Sequence, residues 1–289
     1  MDLFIIVTPD NEPIINYLSI DVEDYYQVSA FEDIVSREKW DDFPSRVVVN
    51  TQRILDILEH FDVRATFFIL GWTAERFPHL VEAINAKGHE VGCHSYFHRL
   101  VYDLDPDEFR QDTLRAKTVI EGIIGRPVLG YRAPSYSIVK RSFWALEILE
   151  ELGFQYDSSI FPIHHDRYGV PDAPRFEYMI AGRKLKEYPI STVSFCGQRV
   201  PVSGGGYFRL LPYCITRAAL RSINRRDAKP FVFYFHPWEL DPAQPRFDNA
   251  SALSRFRHYL NLDKTAKRLE RMLTDFSFQS FSANTSESN

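Results

Sequence analysis

The sequence predicts an α/β fold built from parallel βα units. Apolar stretches with strand character alternate with amphipathic stretches of helical spacing along residues 17–157. Glycines end several of the helical stretches, and polar side chains follow the ends of the strand stretches. This order of elements is typical of a barrel or an open parallel sheet whose functional site lies at the carboxyl ends of the strands.

The elements up to residue 157 follow from hydrophobic spacing and from local start and stop signals. The clearest start is that of the third helix, where Asp105 is an N-cap, Pro106 takes the first helical position and acidic side chains follow. We expect Pro78 to interrupt the second helix. The predicted strands are 17–20, 64–70, 89–93, 128–131 and 154–157, and the predicted helices are 47–61, 72–87, 105–124 and 142–152.

Residues 160–210 are rich in proline and glycine, and we interpret them as an irregular, loop-rich insertion. The glycines at 204–206 match neither a Walker loop nor a dinucleotide fingerprint, so a simple turn and a loop beside the substrate are the alternatives. Later elements are a helix at 210–224, a strong strand at 230–235 and a long helix at 253–276. The predicted domains are 1–240 for the core with its insertion, 241–276 for a C-terminal helical extension and 277–289 for a disordered tail.

The composition excludes several classes of protein. Hydrophobic residues make up 45% and charged residues 25% of the chain, as in a soluble globular protein, and the net charge of −5 predicts no binding to nucleic acid. No apolar run approaches the ~18 residues of a transmembrane helix. The N-terminus lacks a basic n-region and an adequate h-region, so we expect no signal peptide and a cytoplasmic protein, at most peripheral to the inner membrane. The separated cysteines Cys93, Cys196 and Cys214 predict no disulfide framework.

Two histidines four residues apart, His94 and His98, follow the predicted strand at 89–93. In a helical turn or a tight loop both imidazoles would point the same way, which suits two ligands of one metal. The structural alternative is one surface histidine and one buried histidine. Cys93 adjoins the pair, but side chains alternate along a strand, so we expect it to face the opposite side.

The acidic cluster after the first strand offers a third metal ligand. Asp21 and Glu23 are two residues apart, so their side chains share one face of an extended segment, and one could bind metal while the other acts as general base. Asp24 is the competing ligand, and a solvated turn is the structural alternative for the cluster. Arg132 could hold Asp21 ionised, and His236 could protonate a leaving amine. An acid and a base beside a metal suit the hydrolysis of an amide.

These motifs, in this order, resemble those of the polysaccharide deacetylases of the NodB-homology type, carbohydrate esterase family 4. The resemblance covers residues 18–240, and its motifs are spread along that whole range. It rests on Asp21-Val22-Glu23-Asp24, His94-Ser95-Tyr96-Phe97-His98, Arg132-Ala133-Pro134, Tyr156-Asp157-Ser158-Ser159 and Tyr234-Phe235-His236.

The resemblance implies a distorted (β/α)7 barrel that carries a metal-dependent N-deacetylase site. Carried over by motif, Asp21 resembles the catalytic base, Arg132 the residue that orients this base, and His236 the catalytic acid. The metal is expected to be zinc, although other divalent metals suit the same ligands. The backbone after Pro134 is expected to stabilise an oxyanion. The residues that resemble the metal ligands are Glu23, His94 and His98.

Two departures from the family pattern matter. The first motif usually has adjacent aspartates, whereas Asp-Val-Glu-Asp is closer to the peptidoglycan-deacetylase and allantoinase-like branch, and this leaves Glu23 and Asp24 as alternatives for the third ligand. In the last motif, Tyr234 takes the usual leucine position. Residues 21–31, 203–209 and 235–239 further resemble the subfamily found with exopolysaccharide loci of exosortase (PEP-CTERM) systems, whose members carry an extra C-terminal region.

The expected substrate is an N-acetylated amino sugar of a bacterial polysaccharide or of its lipid- or nucleotide-linked precursor. A hydrolase of a cyclic amide or imide on the same scaffold is one alternative. A non-catalytic carbohydrate-binding protein is the other, and the complete set of motifs argues against it. Two roles are open for residues 241–289, namely covering the barrel or forming a contact in a homo-oligomer.

Overall fold

Nine strands form one curled sheet in the computed structural model, which describes residues 13–165 and 167–284. Two further strands form a separate antiparallel hairpin. The strands of the sheet are β1 (Ile15–Val22), β2 (Thr66–Ile69), β3 (Glu90–Cys93), β4 (Gly130–Tyr131), β5 (Tyr156–Asp157), β6 (Tyr178–Met179), β7 (Lys186–Glu187), β10 (Val232–Phe235) and β11 (Ser277–Gln279), and those of the hairpin are β8 (Thr192–Phe195) and β9 (Gln198–Pro201).

The strand order of the sheet is β10-β1-β2-β3-β4-β5-β7-β6, and β11 also pairs with β1. Every pair is parallel except β6 with β7. The predicted α/β fold, a distorted barrel of parallel βα units with helices after it, is therefore confirmed. Residues 160–210, predicted as a loop-rich insertion, supply two strands to this sheet.

The helices cover the outer face of the sheet with apolar side chains at helical spacing. In the first helix the buried side chains include Val47, Ile54, Leu55 and Leu58, which join the large core cluster against β1 and β2. The α-helices are α1 (Val47–His60), α2 (Gly71–Arg76), α3 (Pro78–Ala86), α4 (Pro106–Ile124), α5 (Trp144–Glu151), α6 (Gly205–Leu210), α7 (Tyr213–Ser222), α8 (Ala252–Tyr259) and α9 (Leu262–Asp275). Short 3-10 helices lie at Ser29–Phe31, Arg37–Asp42, Val101–Asp103, Pro134–Tyr136, Lys140–Ser142, Pro237–Leu240 and Phe281–Asn284, and a π-helical turn at Ile223–Asp227.

The start of α4 is where the local sequence signals predicted it. Asp105 accepts a hydrogen bond from the backbone of Glu108, whose side chain accepts one from the backbone of Asp105, and Pro106 is the first helical residue. The helix ends at Gly125, which adopts a φ of 68°. A long helix at 253–276, in contrast, is wrong, because Asn261 takes a φ of 52° between α8 and α9.

The disordered tail predicted for 277–289 is wrong over residues 277–284. Strand β11 pairs with β1, and Phe281 is fully buried inside the sheet. Its ring lies against those of Tyr17, Tyr156 and Tyr188 at centroid distances of 5.1, 5.4 and 4.7 Å. The reason is the alternation of Phe276 and Phe278 with Ser277 and Gln279, which is a strand pattern within an otherwise polar sequence, and Phe281 follows this strand. Residues 285–289 lie outside the described part.

None of the described helices has the length and the apolar character that crossing a membrane requires. The prediction about a signal peptide rests on the first residues of the chain, and residues 1–12 lie outside those that the structure describes.

Candidate active site

The sheet brings the predicted site residues together because they follow strands that are neighbours. Asp21 lies near the end of β1, His94 directly follows β3, Arg132 follows β4 and His236 follows β10. Ile20 is opposite Phe235 and Cys93 is opposite Tyr131 in the parallel registers. The next residue along each strand is therefore next to its counterpart, which places His236 beside Asp21 and Arg132 beside His94.

Glu23, His94 and His98 form a buried cluster with the geometry of a metal site. One ligand atom from each lies within 4.8 Å of the others. His98 Nε2 is 3.2 Å from Glu23 Oε2, yet this oxygen has no hydrogen-bond partner in the described part of the chain. A buried carboxylate oxygen without a donor, facing an imidazole nitrogen, fits a cation held between the two. The site residues present therefore fit a divalent metal.

The protonation states of this cluster are those that metal binding needs. Burial lowers the pKa of His98 to about 4 and also lowers that of His94. Burial alone would raise the pKa of Glu23, but the surrounding histidines outweigh it and lower the pKa to about 2. His94 donates from Nδ1 to the carbonyl oxygen of Arg132 at 2.7 Å, which leaves Nε2 for the cluster.

A tight loop, not a helical turn, places His98. Ser95 and His98 adopt φ values of 62° and 53°. The Asp112 carboxylate on α4 accepts hydrogen bonds from the backbone of Tyr96 at 2.7 Å and of Phe97 at 3.3 Å. The loop is thus fixed by a helix that follows it in sequence, which the spacing of the two histidines alone does not reveal.

Asp24 is engaged elsewhere, although it adjoins Glu23. Its Oδ2 accepts hydrogen bonds from Ser45 Oγ at 2.7 Å and from the backbone of Arg46 and Val47 at 2.8 and 3.1 Å. It therefore satisfies the free N–H groups at the start of α1. Of the two alternatives for a third ligand, the structure places Glu23 in the cluster.

Arg132 is fully buried and holds Asp21 on one side of the cluster. Its Nη1 donates to Asp21 Oδ1 and to Ser19 Oγ, both at 2.7 Å, and its Nη2 donates to Ser158 Oγ at 2.7 Å. Burial lowers the pKa of Arg132, but the Asp21 carboxylate more than compensates and raises it. Asp21 is therefore oriented by a charged partner behind it while it lines the pocket.

The motif at residues 156–159 fixes the backbone next to Arg132. Ser159 Oγ accepts a hydrogen bond from the backbone of Ala133 at 2.8 Å and donates to Asp157. Burial raises the pKa of Asp157 to about 6, and that of its buried neighbour Glu187 well above the usual range. Asp157 thus forms part of a buried carboxyl pair and does not reach the pocket.

His236 lies next to the carboxylates of Asp21 and Glu23. Its Nε2 is 2.9 Å from Glu23 Oε1 and 4.0 Å from Asp21 Oδ2, and its Nδ1 donates to Glu239 Oε1 at 2.7 Å. Burial would lower the pKa of His236, but the carboxylates of Glu23 and Glu239 raise it to about 10. Glu239 in turn accepts from Arg209 Nε at 2.6 Å.

Sequence reasoning missed Glu239 and Arg209. Glu239 had a local signal, since a Glu three residues after His236 and next to Pro237 fits a capping box, and its carboxylate indeed accepts from the backbone of His236 at 3.0 Å. Arg209 had none, because it is 30 residues from its partner. Two aromatic contacts were missed as well, those of Trp238 stacked on His236 at 5.3 Å and on His258 at 4.1 Å.

The site residues line a pocket of about 240 Å³. Cys93 is not among the pocket residues, because it points into the apolar core, where burial raises the pKa of its thiol. Ser135 and Tyr136, which follow Pro134, line the pocket with φ values of 49° and 55°. The pocket residues that carry chemistry are Asp21, Glu23, His94, His98 and His236.

Two family models match adjacent parts of the chain. Residues 39–156 match the polysaccharide deacetylase family, and residues 158–285 match a domain of unknown function (DUF3473). The chain carries a polysaccharide deacetylase domain. His94, His98 and Arg132 lie in the first matched range, whereas His236 lies in the second.

Curated relatives match over part of their length. A peptidoglycan-N-acetylglucosamine deacetylase of Bacillus cereus is 35% identical over 98 residues, which are 34% of this chain and 36% of that protein. A peptidoglycan deacetylase of Helicobacter pylori is 30% identical over 118 residues, which are 41% of this chain and 39% of that protein. The chain thus spans less than half the length of these relatives.

Solved structures share the fold. A protein of Mycobacterium smegmatis assigned to the polysaccharide deacetylases has a TM-score of 0.60 at 21% identity, covering 97% of this chain and 91% of that one. A variant of the peptidoglycan deacetylase PdaC of Bacillus subtilis has a TM-score of 0.50 at 15% identity, covering 96% and 91%. At these identities the similarity shows the fold alone.

Proposed function

We propose that the protein is a metal-dependent N-deacetylase that removes the acetyl group from an amino sugar of a bacterial polysaccharide or of its precursor. The observation that carries this proposal is that the cluster of Glu23, His94 and His98 shares one pocket with Asp21 and His236. The polysaccharide deacetylase match and the relatives named as N-acetylglucosamine deacetylases support the choice of an N-acetylated sugar.

Glu23, His94 and His98 would hold the metal, and two imidazoles with one carboxylate suit zinc. A bound divalent metal polarises a carbonyl oxygen and lowers the pKa of water. The single carboxylate between two neutral imidazoles leaves the cluster with one negative charge of its own, which a divalent cation would more than neutralise.

Asp21 and His236 divide the proton transfers of amide hydrolysis between them. Asp21, held by Arg132, accepts a proton from the attacking water. His236, whose Nδ1 is committed to Glu239, donates a proton from Nε2 to the amide nitrogen as it leaves. The products are acetate and a free amino sugar. Asp21 and His236 are separate side chains that both lie beside Glu23 in the pocket, so one can act as base while the other acts as acid.

The test combines metal content with acetate release from N-acetylglucosamine oligomers. We expect about one zinc per chain in the wild type and none in His94→Ala/His98→Ala, together with loss of acetate release. His79→Ala is the matched control, because its side chain is 93% exposed and lies outside the pocket. Acetate release that persists in the metal-free double variant would refute the proposal, as would ring-opening hydrolysis of cyclic ureides without any acetate release from acetylated sugars.

A further inference from the structure

A second cavity opens beside the pocket of the proposed site. It has a volume of about 520 Å³, within the range of small-molecule sites. We call it the apolar groove and define it by Tyr207, Leu210, Leu253, Phe256 and Leu260. The groove and the pocket are continuous, since several residues line both of them, among them Tyr168, Tyr234, His236, Trp238 and Arg257.

The groove presents apolar side chains, leucines and one phenylalanine, to solvent, which a soluble surface seldom does over a contiguous area. Leu210, Leu253 and Phe256 are 50%, 57% and 55% exposed. Leu253 and Phe256 are three residues apart on α8 and therefore share one face of that helix. Branched aliphatic side chains offer no hydrogen bonds to sugar hydroxyls, so their chemistry favours an alkyl occupant over a further sugar ring.

A cation stands where the groove meets the pocket. Arg257 is exposed, and its guanidinium forms no ion pair with any carboxylate of the described residues. The neighbouring cations are engaged, as Arg255 pairs with Asp248 and Arg209 with Glu239. A guanidinium that has no carboxylate partner among residues 13–165 and 167–284 suits, at this junction, an anionic group that lies between the sugar and the apolar part of a ligand.

We propose that the apolar groove binds the alkyl chain of a lipid-linked substrate in which a phosphate joins the chain to the N-acetylated sugar. A phosphodiester links two hydroxyl groups and still carries one negative charge, whereas a carboxylic ester of a sugar is neutral. The sugar then occupies the pocket, the phosphate lies at Arg257 and the chain lies along Leu253 and Phe256. This inference rests on the proposed function, because it specifies the substrate of the same site.

The first test measures binding of dodecyl phosphate, below its micelle concentration, by calorimetry with the full chain. We expect Leu253→Asp/Phe256→Asp to weaken binding at least tenfold. Arg257→Gln should weaken dodecyl phosphate severalfold and leave dodecyl maltoside, whose head group is uncharged, unchanged. Phe195→Asp is the matched control, since Phe195 is 69% exposed but lies on the β8–β9 hairpin, outside the groove. Octyl phosphate should bind more weakly, by roughly fourfold for each buried methylene that is lost.

Equal binding of dodecyl phosphate by all variants, or none by the wild type, would overturn the proposal. The proposal would also fail if the wild type bound no alkyl phosphate but bound chitotetraose, and if Leu253→Asp/Phe256→Asp, the groove variant, lost this binding. The groove would then be a site for a sugar polymer. A concentration-dependent doubling of mass that the groove variants abolish would assign the surface to a second copy of the chain and overturn it too.

The second test separates this proposal from the proposed function. The dodecyl phosphodiester of N-acetylglucosamine should be deacetylated with a kcat/KM at least tenfold above that of the methyl phosphodiester, and Leu253→Asp/Phe256→Asp should remove this preference. Dodecyl phosphate binding with no acetate release from any sugar would support the groove and refute the activity. Acetate release from chitotetraose with no alkyl phosphate binding would support the activity and refute the groove.

Discussion

Two buried arginine–carboxylate pairs lie next to the candidate metal site. One contacts the pocket directly and the other through a histidine. Arg132 holds Asp21, which lines the pocket itself. Arg209 holds Glu239, which reaches the pocket only through its hydrogen bond to His236. The first pair thus orients the proposed base directly, and the second orients the proposed acid through one intervening carboxylate.

The two pairs also differ in how the chain anchors them. Arg132 is fixed by strand neighbours, with hydrogen bonds to Ser19 and Ser158. Arg209 is fixed by the end of a helix, as its Nη1 donates to the carbonyl oxygens of 257, 258 and 260. The C-terminal end of α8 therefore supports His236 through Arg209 and Glu239, and the part of the chain that matches a domain of unknown function contributes to the site. The following variants test this comparison.

The largest effect is expected for Asp21→Asn. The amide keeps the shape of the side chain but cannot accept the proton of water, so kcat should fall by about 10²–10⁴. Zinc content should stay near that of the wild type, because the three proposed ligands remain. Acetate release and metal analysis measure the two effects. The exposed Asp62→Asn is the control, and an unchanged kcat for Asp21→Asn would exclude this residue as the base.

Arg209→Met should destabilise the fold by about 3–5 kcal/mol, because it removes the guanidinium from the buried Glu239 carboxylate, whose Oε2 then lacks its donor. Urea unfolding measures this loss. The double variant Arg209→Met/Glu239→Gln should recover part of the stability, since it also removes the buried charge. Arg255→Met breaks an exposed pair and should stay within about 0.5 kcal/mol of the wild type. If Arg209→Met and Arg255→Met lowered the free energy of unfolding by equally small amounts, Arg209 and Glu239 would not form a stabilising buried pair.

Glu239→Gln should lower kcat by roughly 10-fold with little change in KM. The amide oxygen can still accept the hydrogen bond of His236, but a charge-assisted bond becomes a neutral one and orients the imidazole less strictly. Steady-state kinetics on chitotetraose measure the two constants separately. The exposed Glu82→Gln serves as control. If KM alone rose, Glu239 would contribute to substrate binding and not to the position of His236.

The smallest effect concerns the pH dependence of stability near Arg209. Burial and the charge of Arg209 lower the pKa of His258 from its ordinary 6.5 to about 3. The unfolded chain therefore binds this proton more readily, and stability falls as the pH drops from 6.5 towards 3. When the pH falls from 6.5 to 5, the free energy of unfolding should decrease by about 1–2 kcal/mol less in His258→Gln than in the wild type. His79→Gln, at an exposed site, should follow the wild type, and parallel curves for all three proteins would contradict the prediction.

Much of the site was predictable because most of its residues lie at or just after the carboxyl end of a strand. Local periodicity identifies strand ends, and the carboxyl ends of parallel strands meet at one edge of the sheet. Asp21, His94, Arg132 and His236 could therefore be grouped from their positions alone. The order of the strands was not predictable in this way, since hydrogen-bond registers such as Ile20 with Phe235 join residues more than 200 positions apart.

The contrast between Glu23 and Asp24 marks the limit of such reasoning. Both are carboxylates at the end of one strand, and spacing alone permits either as a ligand. The start of α1, some twenty residues later, decides between them, because its free N–H groups engage Asp24. The choice thus depends on where a helix packs, which is a property of the folded chain.

By itself the sequence determined the class of fold and the types of side chain at the strand ends, because these follow from local spacing. Only the tertiary structure decided that Glu23 completes the cluster, that Arg209 and Glu239 support His236, that Phe281 lies inside the sheet, and that a groove continues from the pocket. The physical reason is that each of these depends on contacts between distant segments, whose position is fixed by the packing of the whole core.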